Sequence, residues 1–313
     1  MKLLHLPLSR SRVDRAEHLR KDPAALEVLW ERAKILHFDG EKFLTESGQL
    51  RFIKSDEAPD NGEEFFLGLD GDTPYFLFLS PQLPGESENY KTLREIGALL
   101  DDLQIGLAVH AQGLANWHLK HPRCSICGSV TQSALGGSIR RCSQCNAEHY
   151  PRTDPAIIVL VRDQSDRILL GRQRVWPEHR FSTFAGFVET GESFEQCVAR
   201  EVREEAGVSV TDVKYLGSQP WPFPASLMIA FEARIVDPEG ARPDGEEIEE
   251  IRWLDRESIV EEIMVGELLL PPKISVARAM IESWYHESPL TDGSLRPSLD
   301  SLDPAAVESW RSR

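Results

Sequence analysis

The sequence predicts an α+β protein of several domains, and three observations carry that reading. The first 92 residues hold short apolar or alternating runs between turn signals. Two Cys-x-x-Cys pairs then follow, with 14 residues between them. Beyond Pro151, strand-like apolar runs frame one strongly marked helix. At 313 residues the chain is long enough for two or three domains, each with its own core.

In the first part, the runs Glu27 to Leu36, Leu50 to Ile53 and Tyr75 to Leu79 are separated by Asp39-Gly40, Asp60-Asn61-Gly62 and Asp70-Gly71-Asp72. Turn residues at such intervals predict a mostly β domain over residues 1–92, with one helix near its start. His5 and Pro7 interrupt the apolar opening and no small-residue cleavage site follows, so MKLLHLPLSRSR reads as folded protein and not as a signal peptide. From Tyr90 the period changes. Leu93, Ile96, Leu100, Leu103 and Leu107 recur at spacings of three and four, which predicts one or two helices as a connector over residues 93–120, with Gly97 and Gly106 as weak points. Trp117, His118, Lys120, His121 and Arg123 either reach substrate or RNA or pack between domains.

Cys124, Cys127, Cys142 and Cys145 read as a zinc ribbon over residues 121–150. Each pair sits on a tight turn marked by Gly128 or Asn146, so four thiolates can converge about 2.3 Å from one Zn²⁺. Four cysteines leave no open position for water, so the zinc is structural. Nucleic-acid binding is the rival role, and Arg140 and Arg141 are its only support. The fifth cysteine, Cys197, falls inside a helix and reads as a packing residue, which fits a reducing cytoplasm better than a disulfide scaffold.

The marked helix runs from Ser193 to Ala206. Ser193 with Gln196 forms a capping box and Gly207 a C-terminal stop. Glu201, Glu204 and Glu205 fall within an arc of roughly 100° on one face. Phe194 and Val198 point nearly the same way as Glu205, so a stripe that begins apolar ends in acid. The acids also crowd the helix C-terminus, where the macrodipole disfavours negative charge. At about 5 Å two such charges repel by roughly 3 kcal/mol at an effective dielectric near 20. Arg200 alone is too little to offset this, and a divalent metal would turn the repulsion into ligation. A solvated acidic helix is the plain alternative.

Gly186, Glu192, Arg200, Glu201, Glu204, Glu205 and Gly207 stand at every fixed position of G-x5-E-x7-R-E-U-x-E-E-x-G-U, with Val202 and Val208 at its aliphatic places. On these residues the chain resembles the Nudix hydrolase family. The resemblance implies an α/β/α sandwich over residues 151–286, with the zinc ribbon and the β-rich domain before it. It also implies hydrolysis of a nucleoside diphosphate linked to another group, with Mg²⁺ or Mn²⁺ on the glutamates. Pro155 to Val161, Arg167 to Gly171, Val213 to Gly217 and Leu227 to Ile235 read as strands of that domain, and Pro272 to Trp284 as a helix. Residues 287–313 are rich in Ser, Pro and Asp and read as a mobile tail, ending in a short helix capped at Asp303-Pro304.

Composition narrows the partners. The formal net charge of −16 argues against non-specific binding to nucleic acid or anionic membrane, so an anionic substrate needs metal. No apolar run is long enough to span a bilayer.

The box grips only the diphosphate, so selectivity must come from elsewhere. In Ser218 to Ser226, SQPWPFPAS, three prolines stiffen a loop carrying Trp221 and Phe223. Taken alone, it reads equally as a partner-binding segment or as core. It matches the array that marks the NADH pyrophosphatase branch of the Nudix family. That resemblance implies metal ligation by Glu201, Glu205, Glu247 and the carbonyl of Ala185. Glu204 is a further ligand or base candidate, and Glu250 stands next to Glu247 in the acidic loop GEEIEEIRW, which otherwise reads as a solvated turn. It implies substrate contacts from Tyr150, Phe187, Gln219, Pro220, Trp221, Pro222, Phe223, Pro224, Ala225, Ser226 and Ala277, with Arg94 a further candidate. Gly137 falls where another polar contact would be sought.

The activity so implied is cleavage of NADH, and of NAD⁺, to NMNH or NMN plus AMP, with removal of NAD caps from RNA 5′ ends as a further substrate. The branch also implies a homodimer, and the cysteine usage a cytoplasmic location. An ADP-ribose or generic dinucleotide pyrophosphatase and a non-catalytic nucleotide- or RNA-binding zinc protein are the alternatives. The SQPWPFPAS segment argues against the first and the intact glutamate set against the second.

Overall fold

The computed structural model describes residues 6–82, 84, 86–290 and 293–302. The chain divides into two compact units, one of residues 8–153 with 220–226 and the other of residues 1–7, 154–219 and 227–313.

In the first unit, Asp22 caps α1 (Pro23–Trp30), accepting from Ala25 N–H, with proline at the first helical position. The strands are β1 (Lys34–Phe38), β2 (Phe43–Glu46), β3 (Gln49–Leu50), β4 (Phe52–Ile53), β5 (Glu63–Asp70), β6 (Thr73–Leu79) and β7 (Tyr90–Lys91). They form one sheet of order β3-β2-β1-β6-β5, with β4 on β1 and β7 on β2. The run Glu27 to Leu36 is split between the end of α1 and β1, because its apolar content continues across the turn at Glu31. Ile35, Leu44, Phe66, Phe76 and Phe78 fill the core.

α2 (Leu93–Ile96) ends at Gly97, and α3 (Asp102–Lys120), capped by Asp101, runs unbroken through Gly106. Gly106 is a close approach and not a break: a Cβ there would lie 2.4 Å from Ser11 Oγ. Of the cluster at the end of α3, Trp117 and His118 are buried and pack, His121 is partly buried, and Lys120 and Arg123 are exposed. The four cysteines lie about a small sheet of order β10-β9-β8, made of β8 (Thr131–Ala134), β9 (Ile139–Cys142) and β10 (Glu148–His149).

The second unit contains β11 (Asp154–Arg162), β12 (Ile168–Gln173), β13 (Phe184–Phe187), α4 (Phe194–Ala206), β14 (Val210–Trp221), β15 (Ser226–Ile235), β16 (Ile248–Leu254), α5 (Ser258–Val265) and α6 (Val276–His286). Its sheet runs β14-β15-β11-β12-β16, with β13 on β11. Alternate residues of β11 serve opposite cores. Ile157, Val159 and Val161 pack with Val198 and Val202 of α4, while Ile158 and Leu160 pack with Ile259 and Ile263 of α5 and Met280, Ile281 and Trp284 of α6. This two-faced burial of a continuous apolar strand is the α/β/α sandwich.

Two expectations are corrected. The stretch after Glu247 is not a loop: Ile248–Leu254 pairs antiparallel with β12, its charged residues having masked the strand pattern. The described part of the tail is held in place. Leu299 is fully buried, Asp300 pairs with Arg278 at 2.6 Å and Lys273 at 2.8 Å, and Arg296 pairs with Glu257 at 2.8 Å. Composition missed this because one leucine and three ion pairs suffice to dock a polar segment. The helix placed at Asp303-Pro304 lies outside the described residues.

Candidate active site

The capping box forms as the sequence requires: Ser193 Oγ accepts from Gln196 N–H, and Gln196 Oε1 from Ser193 N–H. Gly207 closes the helix at φ 70°. Before it, the loop from Val188 folds back so that Glu192 meets Arg200 through Nε and Nη2, both at 2.9 Å. The Arg200 guanidinium and the Glu189 backbone hold the Glu192 carboxyl down to about 2. Arg200 also donates to Glu201 at 2.7 Å, Glu204 at 2.9 Å and the carbonyl of Phe187 at 3.0 Å. One guanidinium therefore offsets three acids, more than sequence reading allowed it, because its planar fork carries five donors.

Glu205 lies beyond this reach. It is 4% exposed, and its Oε2 has no hydrogen-bond partner among the described residues. Burial first, then Glu247 and Glu201, push its carboxyl up to about 9 against a hydrogen bond from the Ala185 backbone. Burial likewise raises Glu201. Gly186 leaves room for that acid, since a Cβ there would stand 1.9 Å from the Glu201 carboxyl carbon. Glu247, just ahead of β16, accepts from Gln173 Nε2 at 2.7 Å. Glu250 turns instead to Arg252 at 2.8 Å and Arg172 at 3.7 Å, so Glu247 is the acid that acts on Glu205. Glu204 is 58% exposed and held by Arg200.

A buried acid with an unsatisfied oxygen, two acidic neighbours and a nearby backbone fits a divalent cation bound by hard oxygen ligands. Ala185, Glu201, Glu205 and Glu247 are the residues that would hold it.

The four ribbon sulfurs lie within 4.8 Å of one another. Cys124–Cys145, Cys127–Cys142 and Cys127–Cys145 are 3.7, 3.4 and 3.6 Å apart, close to the ~3.8 Å edge of a tetrahedron with Zn–S near 2.3 Å. Gly128 at φ 76° and Asn146 at φ 57° make the predicted turns. The thiolate set therefore fits zinc. Arg140 is buried against Thr131 and His118, while Arg141 is exposed and pairs with Glu148 at the surface.

Gln219 is fully buried and its Nε2 donates to the Ile274 carbonyl at 2.9 Å. Residues 220–226 belong with the first unit. There the Trp221 and Phe223 rings meet edge to face at 4.9 Å, and the Arg94 guanidinium lies 4.0 Å from the Phe223 centroid and 5.2 Å from that of Trp221. Arg94 is thus brought to the aromatic segment. Phe187 and Tyr150 are 60% and 67% exposed, and Tyr150 Oη donates to Glu148 at 3.0 Å. Ala277 is buried, its N–H donating to the cap Ser275. Gly137 has no side chain to offer as a polar contact: its carbonyl accepts from His118 Nε2 at 2.8 Å, and a Cβ would stand 2.4 Å from the Phe65 ring.

A model of the NUDIX domain matches residues 152–269, and one of the NADH pyrophosphatase zinc ribbon domain matches residues 119–150. The NAD-capped RNA hydrolase NudC of Mycobacterium tuberculosis is 41% identical over 298 residues, covering 88% of this chain and 94% of its own. The chain belongs to the Nudix hydrolase family. The Stutzerimonas stutzeri protein of the same name is 36% identical over 254 residues, covering 79% of this Nudix chain and 87% of its own. The human NAD-capped RNA hydrolase NUDT12 is 37% identical over 202 residues, covering 61% and 44%.

Sequence reading of this Nudix site missed Asp244 and Gln173. Asp244 adds to the field that raises Glu205, and its carboxylate accepts from Glu246 and Ile248 N–H, shaping the turn that presents Glu247. Asp-Gly three residues before a glutamate was the available signal. Gln173 carried none, since its role depends on the register of β12 against β16.

Proposed function

We propose that this Nudix enzyme hydrolyses the pyrophosphate bond of NADH and NAD⁺, giving NMNH or NMN plus AMP. Glu205 carries the reading: its buried carboxyl, one oxygen of which has no partner among the described residues, stands beside Glu201 and Glu247 and suits a cation that must itself face a diphosphate. Bound there, Mg²⁺ or Mn²⁺ supplies Lewis-acid polarisation of the phosphates and of the attacking water.

The chain's own residues do the rest. Glu201, Glu205, Glu247 and the Ala185 carbonyl hold the cation. Arg200 fixes Glu201 and ties the loop at Glu192 to α4. Glu204, exposed at the rim, is the base candidate that takes a proton from water as the new P–O bond forms and the bridging oxygen leaves with the other phosphate. Trp221 and Phe223 offer flat faces to a ring of the dinucleotide, with Phe187 and Tyr150 as further aromatic surface.

The names of the relatives favour a second substrate in which the same bond is cut, an NAD cap on an RNA 5′ end. The family resemblance further supports a homodimer, which sedimentation of the purified chain reads, and the cysteine usage suits a reducing cytoplasm. No helix of the described residues is long and apolar enough to cross a membrane.

Chromatography of NADH incubated with the protein and Mg²⁺ or Mn²⁺ should yield AMP and NMNH. No product, or ADP-ribose in place of AMP, would overturn the reading. Comparing kcat/KM for NADH and NAD-capped RNA then ranks the two substrates.

A further inference from the structure

The aromatic segment has a supply problem built into its sequence. Pro220, Pro222 and Pro224 carry no N–H, so the tip cannot close on itself through a ladder of backbone bonds. Phe223 N–H donates to the Trp221 carbonyl at 2.7 Å. The carbonyls of Pro222 and Pro224 are served from outside the segment, by α3. Gln112 Nε2 donates to the Pro222 carbonyl at 2.9 Å, and Asn116 Nδ2 donates to both Pro222 and Pro224 at 3.0 Å. The two amides are four residues apart, hence on one face of the helix. Pro222 itself is buried and lies against the bare backbone at Gly113, where a Cβ would be only 3.8 Å away.

The orientation of both amides is fixed by chemistry, since a carbonyl can only accept. That choice leaves Gln112 Oε1 buried without a partner among the described residues, an arrangement that costs stability and that an aliphatic side chain would avoid. Packing alone does not account for an amide here. Bridging Pro222 to Pro224 fixes the carbonyls on both sides of Phe223, and therefore the direction in which the ring under Arg94 points.

We infer that Gln112 and Asn116 are positioning residues for the 220–226 segment, and that through it they set how tightly the enzyme holds the ring of its dinucleotide substrate. The inference rests on the reading of that segment as the substrate's recognition element. Neither residue touches the reacting atoms, so the effect belongs in KM and in choice of substrate, with kcat left nearly as it is.

The test compares the full-length protein with Asn116→Asp, Asn116→Leu and Gln112→Leu. Asn116→Asp keeps the shape and removes both donors. Gln112→Leu places an aliphatic residue in a buried site and keeps the test available if the charged variant fails to fold. Hydrogen-exchange mass spectrometry over residues 219–228 should show faster exchange at Trp221, Phe223, Ala225 and Ser226. KM for NADH should rise about tenfold, the effect of roughly one net hydrogen bond, with kcat within about twofold. Exchange unchanged in the variants overturns the inference, as does faster exchange with KM unmoved. If the unaltered protein does not cleave NADH at all, the proposed substrate falls, and the exchange measurement alone still decides whether α3 holds the segment.

Discussion

At Glu205 the folded chain tolerates an acid that has lost its water and gained no donor for one oxygen. Glutamine has the same shape and no charge to desolvate. Glu205→Gln should therefore melt no lower than the parent without metal, while NADH turnover falls by at least about 10²-fold, as when an electrostatic group at the reacting centre is deleted. Parallel melting and chromatographic assays check both halves, and near-normal turnover would remove Glu205 from the site. Gly186→Ala separates geometry from charge. The new methyl would meet the end of the Glu201 side chain, which can swing aside, so stability should drop by no more than about 1–3 kcal/mol. Turnover and Mn²⁺ affinity should fall much further, because the displaced carboxylate leaves Glu205 and Ala185. Calorimetric titration with Mn²⁺ reads that directly.

Among elements, α3 joins the ribbon hairpin through one imidazole. His118 is 3% exposed and stacks on Phe65 at 4.2 Å. Its Nε2–H donates to the Gly137 carbonyl, and its Nδ1 accepts from Arg140 Nη1 at 2.7 Å. Burial first, with Arg140 and His121 adding, lowers the ring to about 4, against the Gly137 hydrogen bond; Glu63, 3.8 Å from Arg140, is the facing acid. Since the unfolded ring takes its proton near 6.5, the unfolded chain binds more protons between the two values. Stability is then fully present above pH 6.5 and declines as pH falls toward 4, by up to roughly 3 kcal/mol. Urea midpoints at pH 7 and 4.5 measure it, and His118→Asn should lose this part of the slope.

The elements also show what a sequence reveals. α4, its caps, the cysteine turns and β11 are written in residues whose effect is local, so motif and period sufficed. β16 and α5 were not legible: β16 hides its apolar face among Glu249, Glu250 and Arg252, and α5 is eight residues long. Site contacts divided the same way. Glu201, Glu204 and Glu205 were read from spacing. Gln173 depends on which strand lies opposite, the placement of Arg94 over Trp221 and Phe223 on which segment does, though the residue itself was named from the resemblance, and the reach of Arg200 depends on a loop closing.

For the molecule as a whole, the ribbon makes one unit's stability conditional on zinc. Its β strands run two to four residues, too short to persist without the ion that draws the four sulfurs together. Chelation should release one Zn²⁺ per chain and lower the melting temperature of residues 8–153 ahead of the rest, followed by hydrogen exchange. Release of zinc with no change in exchange at His118 or Gly137 would count against that coupling.

The segment carrying Trp221 and Phe223 is encoded at the turn of a hairpin in the catalytic half of the gene, yet the amide that steadies it lies 110 positions earlier. On the inference above, the grip on the ring draws on two stretches far apart in the sequence, the segment itself and the amides of α3. Grafting the C-terminal half of this chain onto a relative's N-terminal half should transplant scission intact, whereas the grip on the ring would travel only if the host helix also offered amides at the matching turn.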